Sequence, residues 1–127
     1  FSNILYDFRS EHIYLIDPRG YDFDCTETSY GPVIYDLAKL HHSILGRYDE
    51  IVSGKYTIEK EEETDVIRFS TEVDCAVVDT YWDNVKSMVI ALSLQLFVSM
   101  IPLHRDCRKR QYALLLNARR LYEELIL

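Results

Sequence analysis

With 127 residues, 48% of them hydrophobic, and only 4 Gly and 3 Pro, the chain has the composition of one packed domain, which argues against two full domains and against disorder. Its 21 acidic residues outweigh 14 basic ones and leave a net charge of −7, which repels phosphate backbones and argues against general nucleic-acid binding. The charge is uneven, because Ile101 to Leu127 holds six basic and three acidic residues. Cys25, Cys75 and Cys107 are widely spaced with no C-x-x-C pair, so neither a structural zinc site nor a disulfide framework is expected, and a reducing cytoplasm fits best. The most apolar stretch, Met88 to Ile101, is about a turn short of a bilayer span and is interrupted by Ser93, Gln95 and Ser99. It is expected to be a buried helix, with no membrane span. The chain opens Phe1-Ser2-Asn3 with no basic signal region and no Met, which reads as a cut through something larger.

Ile4 to Phe8 and His12 to Ile16 have strand composition, with turn formers Arg9-Ser10-Glu11 between them and Asp17-Pro18-Arg19-Gly20 as a stop. They predict a hairpin with a loop of about four residues. A polar loop with aromatic residues follows from Tyr21 to Tyr30. After Pro32, Val33, Ile34, Leu37, Leu40, His41, Ile44 and Leu45 recur at helical steps, and Gly46 fits a C-terminal stop. The adjacent His41 and His42 cannot share one helix face, so one is expected in the core and one outside. Arg47 to Ser53 predicts a short helix ended by Gly54. Lys55 to Ile58 and Val66 to Phe69 predict two strands around the run Glu59 to Asp65, an acidic, solvated hairpin tip.

From Asp74 the pattern is helical. Ala76, Val77, Thr80, Tyr81 and Val85 share one face of a first segment, and Val85 to Ile101, apolar nearly all round, predicts a central helix stopped by Pro102. Asp106 to Leu127 predicts a last amphipathic helix with Tyr112, Leu115, Leu116, Arg119, Tyr122 and Leu125-Ile126 along its stripe. The fold class is α+β and mostly helical, an N-terminal β-hairpin followed by a helical bundle, in a single domain over 1–127.

Antiparallel pairing of the first two strands, with the loop centred near Ser10 and Glu11, gives partner numbers that sum to about 20 or 21. Asn3 then falls opposite Asp17 or Pro18 at the open end of the hairpin. An amide oxygen and a carboxylate are hard ligands suited to Mg²⁺, which keeps water and substrate phosphates for its other positions. The same residues also suit plain turn chemistry, with Asn3 capping a strand and Asp17 starting an Asp-Pro turn.

The segment Phe1-Ser2-Asn3-Ile4-Leu5-Tyr6, followed by Leu15-Ile16-Asp17-Pro18-Arg19-Gly20, resembles the catalytic core of aminoglycoside phosphotransferase and choline-kinase-like enzymes, which share the protein-kinase fold. Their catalytic loop reads H-x-D-x-x-x-x-N and is followed by strand, turn and a strand ending in I-D. Gly31-Pro32 with Tyr35-Asp36-Leu37-Ala38 looks like the family's G-D-P-x-x-D-L-A pattern, except that no Asp lies between Gly31 and Pro32. The likeness covers residues 1 to about 45 and rests on helix order beyond them. Within the family, the I-D-P-R-G turn, Tyr35 to Ile44 and Ser99 to His104 look similar to a bacterial group serving capsular or surface polysaccharide synthesis.

The resemblance implies the C-terminal lobe of a small-molecule phosphotransferase. Asn3 and Asp17 would hold Mg²⁺ with ATP or GTP, and Asp36 would support the catalytic loop through backbone hydrogen bonds. Asp36 equally suits an exposed first-turn acid favoured by the helix dipole. Arg19 and Tyr21 are candidates for substrate binding, and the acceptor would be a sugar, aminoglycoside or choline-like alcohol. The catalytic base, an Asp five residues before Asn3, would lie upstream of Phe1, and the strand Lys and any Gly-rich loop are also missing from this stretch. The face left by a missing lobe would favour self-association. A non-catalytic helical interaction module is the alternative, and it should tolerate Asn3→Ala and Asp17→Ala in its partner binding. The chain by itself is expected not to transfer phosphate; measurable, metal-dependent turnover by a clean preparation would contradict this.

Overall fold

A computed structural model describes residues 3–16, 20, 24–28, 30–73 and 84–126. The expected helical segment over 74–83, with Ala76, Val77, Thr80 and Tyr81, lies outside the described residues. The fold is mixed α+β, about 50% helical, and among the described residues it holds two small antiparallel hairpins and four helices. The chain divides into two compact units, Phe1–Val33 and Ile34–Leu127.

The first unit is built on strands β1 (Ile4–Asp7) and β2 (His12–Leu15). Asp7 opens the turn, its carboxylate accepting from Arg9 N at 2.9 Å and Ser10 Oγ at 2.6 Å. These bonds, Ser10 first, hold its carboxyl below the usual range. Glu11 closes the turn with φ 55°, a left-handed conformation that costs a non-glycine residue some strain. The loop is therefore centred between Arg9 and Ser10, earlier than the sequence pattern placed it. Ile4 pairs with Leu15 and Asp7 with His12, and Ile16 N donates to Asn3 O at 3.0 Å. Asn3 thus faces Ile16, not Asp17 or Pro18.

In the second unit, α1 (Val33–Ser43) follows Pro32 as expected, and α2 (Tyr48–Ser53) follows it closely. Gly46 is required by space rather than by its φ. A Cβ there would sit 2.6 Å from His42 O and 2.7 Å from the Phe97 ring. The left-handed residue at this corner is Arg47, with φ 62°. Gly54, with φ 75°, ends α2 through Gly54 N to Ile51 O at 3.2 Å.

Strands β3 (Tyr56–Glu61) and β4 (Thr64–Phe69) are longer than expected, and the acidic run lies mostly in the strands rather than at the tip. Glu61 pairs with Thr64, leaving Glu62, with φ 53°, and Glu63 as the turn. Across the ladder Arg68 meets both Glu59 and Glu61. On the other face Tyr56 pairs with Phe69 and Ile58 with Ile67, and all four join the main core.

Helix α3 (Lys86–Met100) ends before the tight turn Pro102–His104, and α4 (Arg108–Ile126) completes the chain. Ile51, Ile67, Ile90, Phe97, Ala113, Leu114 and Leu121 form the larger core cluster, while Val89 of α3 packs against Ile34, Leu37 and Ile44 of the α1 region. The stretch Lys86–His104, 19 residues, is long and apolar enough to cross a bilayer by length and composition alone. In this fold its Val89, Ile90, Ser93 and Phe97 are buried while Met88 and Val98 are exposed, so the helix is covered on one side only.

Two sequence expectations fail in instructive ways. The buried face of α4 is Ala113, Leu114, Leu116, Asn117, Ala118 and Leu121, whereas Tyr112, Leu115, Tyr122 and Ile126 of the expected stripe are exposed. The small side chains of Ala113 and Ala118 let α4 approach its neighbours closely, which large residues in their place would prevent. Asn117 is buried because Nδ2 donates to Gly46 O at 2.6 Å and Oδ1 accepts from Arg120 Nε at 2.9 Å. His41 and His42 are both buried, at 1% and 4% exposure, because α3 and α4 enclose the end of α1 from two sides. Gly46→Ala is expected to cost roughly 1–3 kcal/mol through overpacking. Asn117→Ala is expected to cost about 1–3 kcal/mol by leaving a buried carbonyl unpaired. Urea unfolding of each variant measures both losses.

Candidate functional site

Asn3, one of the two expected metal ligands, is exposed at the open end of the first hairpin and is tied to β2 through its carbonyl. Asp17, Arg19 and Tyr21 lie outside the described residues. With Asn3 opposite Ile16, Asn3 sits one step from the pairing the sequence pattern gave it. The donor types, an amide oxygen and a carboxylate, still match what Mg²⁺ takes. Among the described residues no group of three or more His, Cys, Asp or Glu is placed to hold a metal ion.

Asp36 belongs to the second unit, exposed in the first turn of α1, where an acid is favoured by the helix dipole. The hairpin itself is apolar and open to solvent, with Phe8 at 87% exposure, Leu15 at 76% and Ile13 at 67%.

A polar constellation that the sequence pattern did not single out lies in the second unit, around Tyr48 and His104. The His42 ring stacks on Phe97 at 4.2 Å and on Tyr48 at 4.5 Å between centroids. The Tyr48 hydroxyl is 3.0 Å from His104 Nε2, and Arg110 Nη1 is 3.3 Å from His104 Nδ1 and 3.2 Å from Asp106 Oδ2. Burial raises the Tyr48 hydroxyl pKa, helped by the Asp49 carboxylate. Tyr48 and His104 are far apart in the chain, so no local spacing announces the pair; the only sequence signal is a His beside the Pro102 stop.

Burial pushes both imidazoles of α1 down to about 4, with the Arg120 and Lys86 charges acting in the same direction on His41 and the Lys39 charge on His42. Comparison with protein-family models, with curated proteins and with solved structures finds no match to this chain.

The two depressed histidines fix the sign of an acid response. In the unfolded chain each imidazole takes a proton near its ordinary value of 6.5, whereas the folded chain resists until about 4. The unfolded state therefore binds more protons in that window, and stability falls as pH drops from 6.5 toward 4. The urea midpoint is expected to fall across that interval, and His42→Phe should flatten part of the fall. A midpoint independent of pH there would show that neither imidazole is held neutral.

Proposed function

We propose that this chain is the C-terminal lobe of a small-molecule phosphotransferase that moves the γ-phosphate of ATP or GTP to a hydroxyl group. The observation that carries the reading is the first hairpin. Asn3 opens β1, a tight turn reverses the chain, and β2 leads into Asp17-Pro18-Arg19-Gly20, which is the strand–turn–strand order the resemblance requires between its two metal ligands. The start of α1 after Gly31-Pro32, with Asp36 in its first turn, is consistent with it.

In this reading Asn3 and Asp17 hold Mg²⁺, which when bound neutralises charge on the nucleotide phosphates. Asn3 contributes a neutral amide oxygen and Asp17 a carboxylate. Asp36 supports the catalytic loop, and Arg19 and Tyr21 face the acceptor, a sugar, aminoglycoside or choline-like alcohol. Capsular or surface polysaccharide synthesis is the setting the motifs favour, with the enzyme in the cytoplasm. Self-association through a face that a second lobe would cover belongs to the same proposal.

One observation favours the second reading, a non-catalytic interaction module. The first hairpin presents large apolar side chains on both of its faces, which suits a surface that another protein covers.

The protein made from the complete reading frame containing this chain distinguishes the two. Phosphate transfer from labelled ATP or GTP to a panel of sugars, aminoglycosides and choline-like alcohols is expected with Mg²⁺. Asn3→Ala and Asp17→Ala are each expected to lower turnover by more than the roughly 10–100-fold typical of groups that only support a metal ligand. No transfer to any acceptor, or transfer that survives both substitutions, would sink the phosphotransferase reading.

A further inference from the structure

The apolar stripe that the sequence marks on α4 is the one the fold leaves outside. Arg108, Tyr112, Leu115, Arg119, Tyr122 and Ile126 are all exposed, and their alternating four- and three-residue steps keep them on one line along the helix. The line that faces the core is a different one, with Ala113, Leu114, Asn117, Ala118 and Leu121. Side chains on the exposed line are fixed by local bonds. The Tyr112 hydroxyl donates to Asp65 Oδ2 at 2.5 Å, and Arg119 Nε donates to Glu123 Oε1 at 2.7 Å. A stripe with this spacing is the seam that a second helix packs against.

The charges on α4 identify that helix. Its first turn holds Arg108, Lys109 and Arg110 and no acid, while Glu123 and Glu124 stand near its other end and the last turn holds no base. A helix carries partial positive charge at its N-terminus and partial negative charge at its C-terminus, so both ends of α4 are charged against their own dipole. An antiparallel copy of the same helix offsets both ends at once, because it sets the basic start of each against the acidic end of the other. A parallel copy would set like against like.

We propose that α4 is the interface of a symmetric, antiparallel pair formed by two copies of this chain. One register matches every stripe position with another stripe position. Arg108 meets Ile126, Tyr112 meets Tyr122, and Leu115 meets Arg119 of the second copy, each pair occurring twice about the two-fold axis. Beside the seam, Lys109 of one copy comes within reach of Glu123 of the other. Glu123 already holds Arg119, and a carboxylate accepts from more than one donor. With its charge met in this way, Arg119 lays its apolar stem along Leu115 of the second copy. The two tyrosine pairs supply large rings on either side of the centre.

Helix α4 is already ordered by the core it covers, so the pairing carries no cost of helix formation. The proposal rests neither on the phosphotransferase reading nor on a face left by a second lobe.

Analytical ultracentrifugation of the intact chain at rising concentration tests it. The wild type is expected to pass from monomer to dimer. Leu115→Arg, which sets a cation opposite Arg119 of the second copy, is expected to leave a monomer. Lys109→Glu and Glu123→Lys, each alone, bring like charges together and are expected to weaken the dimer by about tenfold or more. An equimolar mixture of those two variants is expected to regain the wild-type strength, since each new charge then meets its opposite. The three substituted side chains are exposed, and recovery on mixing is a gain that a damaged fold could not give. A wild type that stays monomeric would overturn the proposal. So would a dimer indifferent to Leu115→Arg, which would place self-association on another face, or a mixture no tighter than its two components.

Discussion

The second unit turns on how the corner between α1 and α2 is satisfied. Carbonyls in a turn have no helical ladder to enter, and a buried carbonyl without a partner is costly. Here Gly46 O accepts from Asn117 Nδ2 and Leu45 O accepts from Arg120 Nη2 at 2.9 Å, both donors coming from α4. The amide of Asn117 has one orientation only, because Arg120 Nε can donate to Oδ1 and could not accept from the amide nitrogen. Burial lowers the Arg120 guanidinium, and Glu124 opposes the shift. A polar cap made by a distant helix thus fixes where α4 crosses the corner between α1 and α2.

Several features follow from that crossing. The close approach leaves no room for a Cβ at Gly46, so the left-handed turn falls on Arg47 instead. Arg47 is held there by its ion pair with Glu50 at 2.7 Å, by Thr71 Oγ1 at 2.8 Å, and by the Phe69 ring 5.0 Å below its guanidinium. These contacts offset the backbone strain and tie the exit of β4 to the start of α2. The same corner buries His41 and His42 together, since with helices on two sides neither imidazole can reach water.

The two units show opposite economies. In Ile34–Leu127 polar groups are buried with specific partners around a continuous apolar cluster. In Phe1–Val33 the hairpin is held by its own ladder and by the Asp7 turn, while its large apolar side chains stay exposed. An isolated two-stranded hairpin has little stability of its own. Asn3 thus belongs to a hairpin whose described side chains are mostly exposed, whereas the Tyr48–His104–Arg110 contacts lie within the second unit.

The sequence by itself determined the local elements: both hairpins, α1 after Pro32, α2 ended by Gly54, the long apolar helix stopped near Pro102, and the final helix. Each of these rests on short-range rules of period, turn chemistry and capping that a few neighbouring residues satisfy. It also marked Asn3 and Asp36 as positions of interest, though their roles came from resemblance rather than pattern. Only the tertiary structure decided the rest. The register of the first hairpin was set by a side chain, Asp7, that captured the turn one step early. The buried face of α4 was chosen by Ala113, Asn117 and Ala118, because close approach and a carbonyl to cap outweighed the larger apolar residues on the other side. The Tyr48–His104–Arg110 chain joins residues that no spacing rule relates, and only the packing of α2 near the turn after α3 brings them within hydrogen-bonding distance.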